Sequence, residues 1–439
     1  MTSRGLKQLC VLIVLALTTA LVLVQPTTAV GSTPPPFNVY SGTTPLAEIA
    51  PGTVLKTRTA PYSLQGLTLP ITVTQLLYRT VDQLGRPAVN VTSVLRTPVA
   101  PTTSKAIAYG SFYDSLNPED SPSYGVSGGR SPGAVVVHVE AALVLPFLLA
   151  GYSVVVADTQ GSTADFAAGP EYGRTTLDSI RAVLRSPTGI APDARFGLFG
   201  YSGGAIATNW AAALAPTYAP ELGKRLVGAA EGGVLVDPAH NLHYIEGSQV
   251  WAGVILMALI GASRGEGISL EPYLNAYGQE LFAKVDQAAI ADVLGRYPGL
   301  TWKMIAKPQY ATPEQIPLFV TTVNKLNLGS APTPQVPMFI GQGSNGVLEG
   351  TTNSKVYGSG DGVMVAGDVR SLARQYCARG ATVLYREYPL TSHFTSVPLW
   401  LPEAVSWMIT RFGPAPARGN CSTIKAGNPL TPLPLPAAG

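Results

Sequence analysis

Apolar positions in this chain fall into short runs separated by longer amphipathic ones. Residues 71–80 and 88–97 read as two strands, and Asp82-Gln83-Leu84-Gly85-Arg86-Pro87 between them supplies turn residues. A further strand is expected at 106–111, an apolar helix at 141–150, a buried strand at 152–157 and an amphipathic helix at 175–184. Residues 196–199 are short, apolar and aromatic, which suits a buried strand, and the alanine-rich 205–214 suits a helix. Another strand lies within 226–235. The pattern resumes late, with a strand at 337–341, a helix at 369–379, a strand at 381–388 and a closing helix at 398–412. Strands alternating with helices predict an α/β protein whose mainly parallel sheet is covered on both faces.

Between 237 and 334 this alternation stops. The stretch reads as mostly helical, most periodic over 270–294, and it contains the continuously apolar WAGVILMALIG at 251–261. A helix apolar all round belongs to a core or is covered by something else. The segment is therefore expected to be an inserted helical cap over the C-terminal edge of the sheet. The chain then divides into a first core part (30–236), the cap (237–334), a second core part (335–425) and a proline-rich, extended tail (426–439). Residues 31–70 read as a Pro/Thr/Ser-rich segment running over the surface, and no internal repeat is visible.

Composition agrees with a large globular core: of 439 residues 46% are hydrophobic and only 13% charged. A net charge of +3 and the lack of any Lys/Arg run argue against a nucleic-acid partner. Near the N-terminus, Arg4 and Lys7 precede an apolar stretch at 9–24, and Thr27-Thr28-Ala29 offers small residues for cleavage. The stretch is shorter than the roughly 20 residues that span a bilayer. Residues 1–29 are thus expected to be a signal peptide, with a retained anchor as the alternative, and the protein to be secreted or associated with the cell envelope. Two cysteines remain after cleavage, Cys377 and Cys421. In an exported chain an even pair suggests one disulfide clipping the tail to the helix that carries Cys377; two buried free thiols are the alternative.

The candidate chemistry centres on Gly-Tyr-Ser-Gly-Gly, residues 200–204, between the strand at 196–199 and the alanine-rich helix. Gly200, Ser202 and Gly204 fit G-x-S-x-G, in which a serine sits on a sharp strand-to-helix turn at the edge of a sheet. A nucleophilic serine needs a base. Among four histidines, His393 follows the last strand in a loop and fits the order Ser, acid, His. His138 precedes the serine. His240 and His243 form an i, i+3 pair at the start of the cap with no clear third metal ligand, so a packing or surface role is expected and no metal is assigned. Glu349, Asp361 and Asp368 are the acids that follow the 337–341 strand. Asp361, in a glycine-rich loop, is preferred; Asp368 precedes a helix and reads as its N-cap.

These residues together make the chain recognisable. It resembles the LIP family of secretory lipases, the group containing yeast lipase A, within the α/β-hydrolase superfamily. The resemblance rests on GYSGG (200–204), FYDS (112–115) with PSYG (122–125), DGVMVAGDVRSLARQYCARG (361–380) and SHF (392–394). It implies an α/β-hydrolase fold with Ser202 as nucleophile, Asp361 as acid and His393 as base. It further implies an oxyanion hole formed by the Asp114 side chain, within the family's Tyr-Asp motif, and the backbone N–H of Gly203. The chain departs from the yeast members at Asp120 and Ser121, where they carry a cysteine shortly before the Pro-Ser-Tyr match, and its acid loop at 343–360 is longer.

The function expected is a carboxylic-ester hydrolase acting on acylglycerols or related lipid esters through an acyl-enzyme, with no cofactor. An apolar cap favours acyl chains over peptides or sugars and is the expected contact with a lipid surface. The alternatives are a short-chain esterase or peptidase on the same scaffold, and a hydrolase-like protein that binds lipid without turnover. Oligomeric state is not readable from the chain.

Overall fold

The computed structural model describes residues 36–64, 67–98 and 103–436, so the expected signal peptide lies outside the described residues. The strands are β1 (Val54–Leu64), β2 (Leu67–Val81), β3 (Pro87–Arg96), β4 (Thr103–Gly110), β5 (Ser153–Ala157), β6 (Ile190–Tyr201), β7 (Leu226–Gly232), β8 (Met338–Gly343) and β9 (Val383–Tyr388). They form one sheet in the order β1-β2-β3-β5-β4-β6-β7-β8-β9. The pairs from β5 through β4, β6, β7 and β8 to β9 are parallel; β1, β2 and β3 run antiparallel at one end, and β3 meets β5 antiparallel.

Alternation along the strands builds two hydrophobic layers. Ala106, Phe196, Leu198, Met338 and Ile340 point to one face, where α2 (Gly169–Leu184), α3 (Gly203–Tyr218) and α8 (Ala366–Ala378) pack through Ile180, Trp210 and Leu372. Ile107, Tyr109, Phe199 and Phe339 point to the other, beneath α1 (Pro132–Leu149) and α9 (His393–Arg411), with Phe147, Trp400 and Met408 in contact. Strands buried on both faces read as continuous apolar runs.

The edge strand β1 falls in the segment read from sequence as a surface stretch. It pairs with β2 along most of its length, but its Lys56-Thr57-Arg58-Thr59 and Pro61 carry no apolar pattern, as suits an exposed edge. The closing helix begins at His393 rather than 398, because Ser392 and Thr395 form a capping box (Ser392 N donates to Thr395 Oγ1 at 2.8 Å). Pro398 and Pro402 sit inside that helix rather than starting it. Asp368 is not the N-cap of α8, a position Val365 holds; it lies in the first turn and accepts from Asn428 Nδ2 at 2.8 Å.

The segment expected to form the cap contributes most of another hydrophobic cluster, through α4 (Pro238–Ile245), α5 (Val254–Glu266), α6 (Ala276–Val285) and α7 (Pro317–Leu326), joined by Leu116, Phe166 and Ala167 and by Val363, Met364 and Val365 from the acid loop. The periodic stretch at 270–294 is not one helix. Leu270, Leu274, Leu281, Val285 and Val293 are all buried, yet Pro272 starts a separate 3-10 turn and the Asn275 side chain caps α6 by accepting from Gly278 N at 2.9 Å.

Cys377 and Cys421 are disulfide-bonded, 44 residues apart in sequence with Cα atoms 5.8 Å apart. Beyond the bridge the tail crosses to the cap. The Asn324 side chain exchanges hydrogen bonds with the backbone of Leu433 at 2.9 and 2.8 Å, and Leu430 is buried.

Candidate active site

The turn from β6 to α3 puts Ser202 at φ 56°, ψ −123°, a strained conformation for a residue with a Cβ. Three glycines make it sterically feasible. A Cβ on Gly200 would lie 2.1 Å from the Gly204 carbonyl oxygen, and one on Gly204 would lie 2.0 Å from that of Gly110. The turn is held to β7 by Ser202 N donating to Gly232 O at 2.9 Å. Ser202 therefore stands at the N-terminus of α3, where the helix dipole favours negative charge.

His393 Nε2 lies 2.8 Å from Ser202 Oγ, and its Nδ1 lies 2.8 Å from Asp361 Oδ2. Because a carboxylate can only accept, Nδ1 carries the donated proton and Nε2 is left to accept from the serine. Asp361 is fully buried. Its Oδ2 also accepts from Gln342 Nε2 at 2.9 Å, and its Oδ1 accepts from the backbone N–H groups of Val363 and Met364 at 3.1 and 2.7 Å. Burial alone would depress the His393 pKa, but the charge and hydrogen bond of Asp361, with Glu349 and Asp114 beyond it, outweigh that and leave it raised.

Asp114 sits at φ 30° in the loop after β4, almost fully buried. Its Oδ1 crowds Gly203, where a Cβ would come to 1.9 Å, and receives a long hydrogen bond from Gln160 Nε2 at 3.4 Å. Burial raises its pKa to about 7, against the opposing charge of His393. Asp120, at the position where the yeast members differ, accepts from Ser115 Oγ at 2.6 Å and so steadies the loop next to Asp114.

The other candidates lie elsewhere. Asp368 is bonded to His240 Nδ1 at 3.1 Å rather than to His393. His243 spans Glu246 and Glu314 at 3.1 and 2.6 Å, which raise its pKa to about 9 against the lowering effect of burial. His138 lies within α1. Glu349 accepts from Trp251 Nε1 at 2.7 Å and from Phe394 N at 2.9 Å, close to the histidine but not bonded to it. Sequence reasoning missed Gln342 and Gln160 as supports of the site and read Glu349 only as a candidate acid. Each acts through contacts distant in sequence, and no local signature marks them.

A cavity of about 90 Å³ opens at Ser202, Gly203 and Asp114 and runs under the cap between Ile206, Leu235, Leu242, Trp251, Ile255, Ala258, Leu259, Phe319 and Val323. Its walls are mostly apolar, with Asn241, Ser263 and Thr322 as polar lining besides Ser202 and Asp114, which suits a ligand with an apolar chain.

A family model described as secretory lipase (LIP) matches residues 130–420. Lipase 2 of Candida albicans is 32% identical over 399 residues, covering 87% of this chain and 82% of its relative, and lipase 1 of the same yeast is 31% identical over 393 residues, covering 84% and 79%. The crystal structure of Candida antarctica lipase A in its closed state superposes with a TM-score of 0.77 at 25% identity, covering 91% of both chains.

Proposed function

The chain belongs to the secretory lipase family and is a carboxylic ester hydrolase, and from that premise we propose that it cleaves acylglycerols or related lipid esters outside the cell with Ser202, His393 and Asp361 as its catalytic triad. The observation that carries the reading is the chain of two 2.8 Å contacts from Asp361 through His393 to Ser202, which lines a largely apolar cavity.

In this reading the ester carbonyl enters beside Ser202 with its acyl chain along the cavity. His393 Nε2 takes the Ser202 proton as Oγ attacks the carbonyl carbon. Asp361 keeps the imidazole in the right tautomer and stabilises its cation. The tetrahedral oxygen is stabilised by the Gly203 N–H, by the N-terminus of α3 and by a protonated Asp114. His393 then returns its proton to the departing alcohol, leaving an acyl-enzyme, and a water activated by the same histidine releases the acid. The largely apolar lining of the cavity supports acyl chains as the group it accepts. The family's name and the leader-like N-terminus support secretion.

The test combines a fluorophosphonate label with substitutions. Ser202→Ala should abolish labelling, and Ser202→Ala, His393→Ala and Asp361→Asn should each lose most of kcat while remaining folded. Double variants should be little worse than the worst single one. An active Asp361→Asn enzyme would sink the triad assignment, and a parent protein that takes no label would sink the enzyme mechanism.

A further inference from the structure

Glu349 is a buried carboxylate that the proposed mechanism does not use. Both of its oxygens are occupied. Oε2 accepts from Trp251 Nε1 at 2.7 Å, and Oε1 accepts from Phe394 N, in the first turn of α9, at 2.9 Å. Trp251 belongs to the cap, and its ring stands edge-on to the His393 imidazole with centroids 5.2 Å apart while it stacks on Phe394 at 5.1 Å. The acid loop is fitted to the same carboxylate. Gly362, next to Asp361, has φ +126°, and a Cβ there would fall 2.7 Å from Glu349 Oε2. Three parts of the molecule thus meet at one side chain: the cap, the base helix and the acid loop.

We propose that Glu349 is a positioning residue for the reaction, holding Trp251 against the imidazole of His393 and supporting the positive charge that His393 acquires when it takes the serine proton. The inference rests on the triad reading above. A merely structural tether would need only two acceptor oxygens and no charge. A carboxylate brings charge, and the charges interact: Glu349 raises the His393 pKa, while the histidine cation opposes the upward push of burial on Glu349. The other ionisable groups facing His393 are Asp361 and Asp114. Tyr201, whose hydroxyl donates to His393 O at 2.6 Å, has its pKa held well above its ordinary value by burial, as does Tyr244 beside the acid loop, so both are neutral through the working range.

The variant to test is Glu349→Gln, which keeps the shape but removes the charge and also turns one of the two acceptor oxygens into an NH2 group, so the pH limb rather than kcat separates charge from tether. His393 must be neutral to act as base, so its pKa sets the acid limb of kcat/KM. Losing the neighbouring carboxylate should move that limb down by roughly 0.5–1 pH unit and lower kcat by about 3–10-fold, with an unchanged near-ultraviolet circular dichroism spectrum. Trp251→Phe keeps the ring and the charge but loses the donor, so it should lower kcat several-fold and leave the limb in place. A Glu349→Gln enzyme with the parent limb and kcat overturns the proposal. If Glu349→Gln is dead while Asp361→Asn is active, Glu349 is itself the acid and the triad reading falls with the proposal. If Asp361→Asn is dead and Glu349→Gln is parent-like, only the positioning role falls.

Discussion

Asp114 and His393 make opposite demands on the solution. The histidine accepts a proton only when neutral, whereas an ionised Asp114 would accept hydrogen bonds and repel a developing oxyanion, so it helps only when protonated. Burial supplies the condition by raising Asp114 to about 7. Its donor capacity is therefore intact below that pH and is lost as pH rises through it. Asp114→Ala should lower kcat by roughly 10²–10³-fold with little change in KM, as for other lost oxyanion donors. Asp114→Asn should keep part of the rate and lose the decline that the parent shows above neutrality, which a pH–rate profile of both variants checks. Two of the residues that the structure joins around Ser202 were readable from local marks, a G-x-S-x-G turn and a histidine after the last strand, whereas Asp114 came only from the family's Tyr-Asp motif and would otherwise read as an ordinary loop aspartate. Their supports were less so: Gln342 in β8 and Gln160 after β5 carry no mark until the fold brings partners to them, and Glu349 was legible only as a candidate acid, not as the partner of Trp251 and Phe394.

Helix α5 illustrates what the hydrophobic pattern conveys and what it leaves out. The apolar run at 251–261 marks a buried element, but continuous apolarity does not say which side meets the core and which meets a ligand. The structure divides the helix. Leu256 is fully buried within the cap cluster and does not line the cavity, whereas Ile255, Ala258, Leu259 and Ala262 do. Filling the channel from this face with Ala258→Phe should shorten the acyl chains accepted. Each excluded methylene forfeits about 0.8 kcal/mol, so kcat/KM for a long-chain ester should fall at least about tenfold more than for a butyrate ester. Equal losses on both would mean that the chain lies elsewhere. Boundaries were the least readable level: β1 has the polar sequence of an edge, and α9 starts at a Ser392 cap that the proline at 398 disguises.

For the whole molecule, the buried carboxyls set the response to pH. Burial lifts Asp114 and Asp158 to about 7 and Glu140 and Glu231 to about 8. Each binds a proton more tightly folded than unfolded, so the folded state is favoured below pH 4 to 5 by these groups and progressively penalised as pH rises from there to about 8. His243, raised to about 9 against the lowering effect of burial, adds stability below its unfolded pKa that is also lost as pH rises. The melting temperature should accordingly be higher at pH 5.5 than at pH 8.5, and a scan showing the reverse would contradict the buried protonated state of these groups. The tail adds a feature of another kind. The disulfide holds the chain as far as Cys421, while the exposed Lys425 separates that anchorage from Asn428, Leu430 and Leu433, which dock on α8 and the cap. The last segment is in effect a ligand on a leash, retained by the millimolar local concentration that a short tether provides. A single cut after Lys425 converts that concentration into an ordinary affinity. The freed peptide should then leave on dilution and return when added back in excess.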